Sequence, residues 1–305
     1  MFKTLGLITS ILLFAGSLFA QKKYMVITVD DLPTVPYGLD DDLEITRKLV
    51  SHFKKYDIPA IGFVNESKLY EEGTLSPAKT ELLEMWLDGG LELGNHTFSH
   101  MDYHKNSFDS FAKEVEKGEQ ITPKLSESRA MPWRYFRHPY LHIGENKEKA
   151  DSLKTFLLSE NYIEAPVTID NADYLFALAY ARAKRAGDAA KMRKIGSDYV
   201  KYMEAETQYH ERLSELLFER QISQILLTHA SLLNADYYDE LAQMFQRNGY
   251  EFTTLEHALD DKAYTSQITA YGRYGISWLQ LWLLSSDLDR DILKEEPQVP
   301  AYITE

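Results

Sequence analysis

The stretch that decides the fold is residues 24–33, YMVITVDDLP, in which a largely apolar run meets two carboxylates and a proline. Tyr, Val, Ile and Thr are enriched in strands, so residues 24–29 are predicted to form a buried strand. Farther along the chain, residues 43–56 have helical spacing and a second apolar run, AIGFV, occupies 60–64. A strand, a helix and another strand in this order predict two parallel strands joined by a crossover helix.

The same alternation continues along the chain and predicts an α/β architecture. Further helices are expected at 77–88, where Gly89 and Gly90 end the pattern, and at 107–119. The remaining strand candidates are short apolar segments, which lie at 91–93, 133–136, 162–168, 224–227 and 251–255. Strands that alternate with helices in this way are typical of a parallel sheet.

The second half of the chain departs from this alternation. Residues 172–220 contain no proline and are dense in Ala, Lys, Glu and Leu, which predicts two or three helices. They form either an insertion on the rim or an unusually long crossover. After about residue 262 the pattern is irregular, and a Trp- and Leu-rich patch at 276–284 is expected to pack back on the body.

Reactive side chains fall just beyond the C-terminal ends of five predicted strands. Two adjacent carboxylates at such a place usually form a cap or a turn, and a lone histidine there is usually structural. In barrels and open α/β sheets, however, active sites are built at this edge. The shared position therefore indicates a site, and its members are Asp30, Asp31, His96, His100, Arg137 to Tyr140, Asp170 to Tyr174, and His229.

The segment 96–100, HTFSH, is typical of a metal site. Two histidines four residues apart on a helical turn share a face, so both can reach one ion. The third ligand is either a carboxylate of the Asp30-Asp31 pair or His104, which continues the four-residue spacing. The carboxylate is favoured because it is available from the first strand. The chain has no cysteine, so any metal must be bound through nitrogen and oxygen.

The first twenty residues and the overall charge restrict where the protein works and which partners it binds. Lys3, an apolar run at 5–14 and small or apolar residues up to Ala20 predict a signal peptide cleaved after Ala20. The alternative, an uncleaved membrane anchor, is less favoured because the run is short for ~30 Å of hydrocarbon. A formal net charge of −14 excludes nucleic acid and anionic membrane surfaces as partners and suits neutral or cationic substrates.

Five motifs in a fixed order give the chain a resemblance to the polysaccharide deacetylases with a NodB-type domain, carbohydrate esterase family four. They are TVDD at 28–31, HTFSH at 96–100, RHPY at 137–140, DNADY at 170–174 and LLTH at 226–229. The resemblance implies a distorted (β/α) barrel over residues 21–262, with a helical insertion at 172–220 and a C-terminal extension, 263–305, packed on the domain. The family usually has Phe, Gly and Trp at the positions of Val29, Leu32 and Tyr174, which leaves the chemistry intact and the identity of the substrate open.

The resemblance also implies a metal site and a general base. Asp31, His96 and His100 look like the ligands of one divalent metal ion. Zinc suits this set of two imidazoles and one carboxylate, with cobalt and manganese as alternatives. Asp30 resembles the base that takes a proton from the metal-bound water, and Arg137 is similar to the arginine that holds the base in place and keeps it charged.

The general acid and the acetyl pocket follow from the later motifs. His229 resembles the acid that protonates the departing amine, and Asp173 corresponds to its carboxylate partner, which would raise the pKa of the imidazole. Asp170 is a second member of this network. The backbone N–H of Tyr140 looks like the oxyanion donor. The acetyl methyl group is expected to be enclosed by Tyr174 and Leu227.

The reaction that these roles imply is hydrolysis of N-acetyl groups on a polysaccharide or oligosaccharide that contains N-acetylglucosamine, outside the cytoplasm. The alternatives are an O-acetyl esterase for xylan-type glycans and a non-catalytic glycan-binding protein. Retention of Asp30 and His229 favours an enzyme, because binding needs neither. Retention of His229 also favours an amide substrate, since an alkoxide leaving group depends less on a general acid. The particular glycan and the oligomeric state stay open.

Overall fold

The β-branched apolar runs form one parallel sheet in the computed structural model, which describes residues 22–305. The predicted signal peptide therefore lies outside the described residues. The strands are β1 (Lys23–Leu32), β2 (Ile61–Val64), β3 (Tyr70–Glu71), β4 (Thr74–Leu75), β5 (Glu92–Asn95), β6 (Tyr135–Phe136), β7 (Ile163–Glu164), β8 (Gln224–His229) and β9 (Tyr250–Phe252).

The sheet has the strand order β7-β6-β5-β2-β1-β8, with β9 paired to β1, and every pair in it is parallel. Strands β3 and β4 form a separate antiparallel hairpin. Ile169, five residues after β7, makes a parallel bridge to Leu226 in β8. The chain that follows the strand at one edge of the sheet thus pairs with the strand at the other edge. The sheet is therefore curled into a distorted barrel, and the predicted α/β fold of the NodB type is confirmed.

Helices surround the sheet, and the longer ones bury apolar residues along one face. They are α1 (Asp42–Lys55), α2 (Pro77–Asp88), α3 (Phe108–Lys117), α4 (Thr122–Glu127), α5 (Lys147–Ser159), α6 (Asp173–Arg185), α7 (Ala189–Phe218), α8 (Leu232–Arg247), α9 (Leu255–Leu259), α10 (Trp278–Leu284) and α11 (Ala301–Thr304). Within the described part of the chain, each helix is too short or too polar to cross a bilayer.

The helical segment predicted at 172–220 consists of α6 and α7, which pack on each other and on α8. Near the C-terminus, α10 packs against α7 and buries Trp278 and Trp282 in an apolar cluster with Leu213 of that helix. The cluster also includes Leu141 and Leu227, which line the cleft described below. The long helix and the C-terminal segment thus support the same side of the barrel.

Several of the predicted strands are shorter in the structure, among them 133–136, which is a strand only at Tyr135–Phe136. The segment 162–168 forms a strand only at Ile163–Glu164, because Pro166 has no amide hydrogen to donate to a ladder. The segment 251–255 ends as a strand at Phe252. Thr254 then caps α9, since its side-chain oxygen accepts a hydrogen bond from the backbone N–H of His257 at 3.2 Å.

Candidate active site

The predicted site residues meet at one edge of the sheet because the parallel strands end there in register. Asp30 in β1 pairs with His229 in β8. Asn95 ends β5, and its backbone carbonyl accepts a hydrogen bond from the N–H of Arg137 at 3.0 Å. This bond places Arg137 next to His96, the residue that follows Asn95. Side chains from four strands that are far apart in the chain therefore converge.

Asp31, His96 and His100 form a compact group of possible metal donors. Each contributes one donor atom that lies within 4.8 Å of the others. Asp31 Oδ1 is 3.8 Å from His96 Nε2 and 3.6 Å from His100 Nε2. His96 Nδ1 donates to the backbone carbonyl of Arg137 at 2.8 Å, which leaves its Nε2 with the lone pair that a metal needs. Asp31 Oδ1 is buried without a hydrogen-bond partner, so these residues fit a divalent ion.

The charge state of this group also suits a metal. Burial lowers the pKa of both His96 and His100, so the imidazoles are neutral ligands. Burial would raise the pKa of Asp31, but the charge of Lys68, together with that of protonated His229, outweighs burial and holds that pKa well below its usual range. Lys68 Nζ lies 3.7 Å from Asp31 Oδ2 and donates to the Asp31 backbone carbonyl at 2.7 Å. Lys68 stands in no motif, so the sequence alone does not mark it as a site residue.

His104, the other candidate for the third ligand, lies in a separate group with Asp102 and His142. Its ring is stacked on that of His142, with centroids 3.8 Å apart and planes 9° apart. Two parallel rings do not aim their lone pairs at a common point. His142 Nδ1 is in turn 2.7 Å from Asp102 Oδ1. The structure thus brings the carboxylate Asp31, and not His104, to the two histidines.

Asp30 occupies a buried position beside an arginine. It is 2% exposed, and its Oδ2 lies 3.6 Å from Arg137 Nη1 and 3.9 Å from His96 Nε2. Burial raises the pKa of Asp30 to about 6, although the charges of Arg137 and His229 oppose that shift. Arg137 is itself fully buried and donates from Nη2 to Thr28 Oγ1 at 2.9 Å. A carboxylate with this pKa is able to accept a proton near neutrality.

His229 is bound to a buried carboxylate. Its Nδ1 donates to Asp173 Oδ1 at 2.7 Å, and its backbone N–H donates to Asp173 Oδ2 at 2.8 Å. Asn234 Nδ2, on the first turn of α8, donates to the same Oδ2 at 2.8 Å. Burial would lower the pKa of His229, but Asp173 more than reverses this and the pKa is raised to about 9. His229 thus carries a proton at neutral pH. Asn234 was missed because a polar residue early in a helix is commonplace.

The backbone around the site is held in an uncommon conformation. Left-handed φ angles occur at Asp31 (68°), Thr97 (63°), His100 (58°) and Tyr140 (58°), none of which is glycine. Such angles cost of order 1–3 kcal/mol each and persist where the surrounding structure enforces them, most often at functional sites. The segment 96–100 is therefore an irregular loop and not the helical turn that the spacing of its histidines predicts, and it still brings His96 and His100 to Asp31.

These residues open into a cleft of about 1090 Å³. Of the predicted pocket residues, Tyr140 is 53% exposed and Tyr174 is 48% exposed, whereas Leu227 is 6% exposed and presents its side chain at the floor. Tyr37, from the loop after β1, adds a further aromatic ring to the lining. The cleft is large enough for several sugar rings.

One side of the cleft is built from residues that no motif contains. Tyr202 and Glu206 come from α7, and Glu296 comes from the C-terminal segment. Asp170, predicted as a further member of the acid network, also lines this side, and its pKa is raised to about 7 by burial and by the charge of Glu296. No local pattern marks Glu206 or Glu296, since each becomes part of the site only through packing of distant segments.

The sequence matches a known family over its N-terminal half. Residues 19–155 match the model of the family described as polysaccharide deacetylase. A curated protein, the peptidoglycan-N-acetylglucosamine deacetylase of Bacillus cereus, is 26% identical over 154 residues, which are 50% of this chain and 47% of that protein. The chain thus spans about half the length of that relative. Asp173 and His229 lie beyond the range of the family match.

Solved structures share the fold at low identity. The chitin deacetylase of the fungal pathogen Colletotrichum lindemuthianum superposes with a TM-score of 0.54 at 18% identity, covering 79% of this chain and 89% of that one. A mutant of the Bacillus anthracis protein BA3943, described as a family 4 carbohydrate esterase pseudoenzyme with restored activity, has a TM-score of 0.50 at 16% identity. That match covers 79% of this chain and 68% of the other. The fold therefore occurs in both active and inactive proteins.

Proposed function

We propose that this chain, whose residues 19–155 match the polysaccharide deacetylase family, is a metal-dependent hydrolase that removes N-acetyl groups from a glycan containing N-acetylglucosamine. The observation that carries the proposal is the geometry of two groups on one cleft: buried Asp30 lies 3.6 Å from Arg137, and His229 is hydrogen-bonded to buried Asp173 at 2.7 Å. Asp30 has a pKa raised by burial to about 6, and His229 has a pKa raised by Asp173 to about 9. Between about pH 6 and 9, one can accept a proton while the other can donate one.

The roles of the chain's own residues follow from this geometry. A divalent metal, with zinc the best match to the donors Asp31, His96 and His100, would supply Lewis-acid activation of a water molecule when bound. Asp30 accepts the proton of the attacking water, and Arg137 keeps its carboxylate charged and in place.

The leaving group is served from the opposite side of the cleft. His229 donates its Nε2 proton to the amine nitrogen as the carbon–nitrogen bond breaks. Asp173 fixes the ring through Nδ1 and restores the preference for the protonated form. The backbone N–H of Tyr140, at the mouth of the cleft, donates to the oxygen of the acetyl carbonyl as negative charge develops.

A glycan suits the walls of the cleft. Tyr37, Tyr140 and Tyr174 present aromatic faces with a polar tip, which match the amphipathic face of a sugar ring. Leu227 offers an apolar floor for the acetyl methyl group. The placement of aromatic walls over an apolar floor supports an acetylated sugar as the substrate.

A non-catalytic glycan-binding role is the alternative, because a pseudoenzyme shares this fold. A protein that only binds has no need of a buried base, of an arginine held against it or of a histidine paired with a buried carboxylate. Asp30, Arg137, His229 and Asp173 are all present and in contact with their partners. This set favours the hydrolase.

The test is acetate release from defined N-acetylglucosamine oligomers and from peptidoglycan, before and after treatment with a chelator. We expect release that is lost on chelation and restored by zinc, cobalt or manganese. An O-acetylated xylan oligomer is included to separate amide from ester hydrolysis. If no substrate releases acetate after metal is restored, the protein is not a hydrolase of this kind. If acetate is released faster from the ester than from the amides, the protein is an esterase.

We also propose that the protein is exported and that the mature chain begins near Gln21. The support is the charged start, the apolar run and the boundary at Ala20. N-terminal sequencing of the protein recovered from outside the cytoplasm should begin near Gln21. Retention of Met1 in that fraction would contradict cleavage.

A further inference from the structure

The loop that carries the proposed oxyanion donor, residues 138–144 or the Tyr140 loop, has two consecutive residues in the left-handed region. Tyr140 and Leu141 have φ angles of 58° and 55°. The N–H of Leu141 donates to the His138 carbonyl at 3.1 Å, and the N–H of His142 donates to the Pro139 carbonyl at 3.1 Å. Both bonds lie within the loop. Such conformations persist where the surrounding structure enforces them, so contacts from outside the loop must hold it.

One outside contact comes from the segment that follows the two histidines of the metal-donor group. His142 Nδ1 lies 2.7 Å from Asp102 Oδ1, and the His142 ring stacks on that of His104 with centroids 3.8 Å apart. The N–H of Gly144 donates to His104 Nε2 at 3.3 Å. These contacts hold the C-terminal end of the Tyr140 loop and leave the position of Tyr140 itself to a second support.

The second support is the backbone of Gly275, which belongs to the C-terminal segment and lines the cleft. A methyl group on Gly275 would lie 2.6 Å from the backbone oxygen of Tyr140 and 3.1 Å from His142 Nε2. Non-bonded heavy atoms prefer about 3.5 Å, so a side chain here requires a displacement of roughly 1 Å. Gly275 has no left-handed φ, so its backbone would accept alanine. What excludes a side chain at this position is the closeness of Tyr140.

The segment around Gly275 is anchored and cannot retreat freely from an added methyl group. Ser277, two residues on, forms the capping box that begins α10. The N–H of Trp278 donates to the Val167 carbonyl, in the body of the barrel, at 2.7 Å. Movement of the facing Tyr140 loop is therefore the way in which the protein would accommodate the methyl group.

We propose that Gly275 is a positioning residue, whose bare backbone fixes the carbonyl of Tyr140 and, through it, the direction in which the Tyr140 N–H points. This inference rests on the proposed deacetylase function, in which that N–H stabilises the negative charge that develops on the acetyl oxygen. The carbonyl and the N–H of Tyr140 share one Cα, so displacement of the carbonyl turns the N–H. The C-terminal segment thus takes part in catalysis through its contact with this loop.

The test is the Gly275→Ala variant of the full mature chain, compared with Gly272→Ala. Gly275 is exposed, so the variant is expected to fold. A methyl group on Gly272 would meet the ring of Tyr274, which is 39% exposed and can turn away. For acetate release from an N-acetylglucosamine oligomer, we expect kcat to fall ~10–100-fold in Gly275→Ala, because the donor is misaligned. KM and metal content should be nearly unchanged, and Gly272→Ala should keep the wild-type kcat.

A second measurement follows the Tyr140 N–H without turnover. In protein with isotopically labelled tyrosine, the amide resonance of Tyr140 should shift in Gly275→Ala and stay in place in Gly272→Ala, and thermal unfolding checks the folding of both variants. An unchanged kcat in Gly275→Ala, an unmoved Tyr140 resonance, or an equal fall of kcat in both variants would overturn the proposal. A wild-type protein that releases no acetate would refute the deacetylase instead, and the resonance would still decide whether Gly275 fixes Tyr140.

Discussion

Asp30 and Asp31 are adjacent in the chain, yet their surroundings prepare them for different chemistry. Asp30 is 2% exposed in a regular strand and faces Arg137, so burial raises its pKa to about 6. Asp31 has a φ of 68° and lies 3.7 Å from Lys68, whose charge outweighs burial and holds the pKa of Asp31 well below the usual range. From this difference in surroundings we expect Asp30 to be the proton acceptor and Asp31 to be the carboxylate that stays ionised beside a metal.

The raised pKa of His229 predicts the alkaline limb of the pH–rate profile. Its pKa in the folded protein is about 9, raised by Asp173, against an ordinary ~6.5. The added stability is therefore fully present below ~6.5 and is lost as pH rises through about 9. Activity should fall over the same upper range. Asp173→Asn should move that limb toward ~6.5, because the imidazolium loses its partner.

The matched control for that variant is Asp102→Asn, which removes the carboxylate bound to His142 instead. It should leave the alkaline limb in place. The measurement is kcat against pH for the wild type and both variants. If the alkaline limb of the pH–rate profile does not move in Asp173→Asn, His229 is not the general acid.

At the scale of elements, the sequence predicts the strands and their polar ends better than the walls of the cleft. The helix at 77–88 is observed as Pro77–Asp88, and β1 and β8 lie where apolar runs meet Asp30 and His229. These features depend on local periodicity and on chain order. Asn234, by contrast, contacts Asp173 only because the first turn of α8 lies next to the site. Sequence periodicity cannot predict that position.

The long helix α7 is predicted to support the catalytic histidine through one hydrogen-bonded chain. Tyr199 OH donates to Asn234 Oδ1 at 2.6 Å, and Asn234 Nδ2 donates to Asp173. Tyr199→Phe leaves the Asn234 oxygen buried without a donor, which should cost about 1–3 kcal/mol of the free energy of unfolding.

Tyr56→Phe provides the comparison for this variant. Tyr56 OH donates to Asp239 near the surface, where water replaces the lost bond, so the cost should be only a few tenths of a kcal/mol. Urea unfolding of both variants measures the difference. Equal stability losses would show that the buried chain does not support the site.

In the whole molecule, the cleft is formed by segments that lie far apart in the described chain. Glu206 and Glu296 stand ninety residues apart in number, and both face the same cavity as Asp30. The resemblance to NodB-type deacetylases indicates the proposed metal and proton-transfer residues because its motifs contain them. The resemblance does not predict the residues that α7 and the C-terminal segment contribute to the cleft, since these residues come together only through tertiary packing.

The C-terminal segment is predicted to be required for folding rather than to be a dispensable extension. Removing residues 263–305 deletes α10, whose Trp278, Leu279, Leu281, Trp282 and Leu283 are all buried. Each such side chain contributes about 1.5–3 kcal/mol when buried, so together they rival the ~5–15 kcal/mol stability of a whole domain. A chain ending at residue 262 should lose its cooperative thermal transition. A truncated protein with an unchanged Tm would contradict this.

One paired measurement decides whether Asp31 binds the metal while Asp30 moves the proton. Metal content and acetate release are determined on the same preparations of the wild type, Asp30→Asn and Asp31→Asn. We predict that Asp30→Asn keeps a full complement of metal while turnover falls ~10²–10⁴-fold, the usual cost of losing a general base. Asp31→Asn should be depleted of metal. A metal-free Asp30→Asn protein, or one that is fully active with metal bound, would contradict the account.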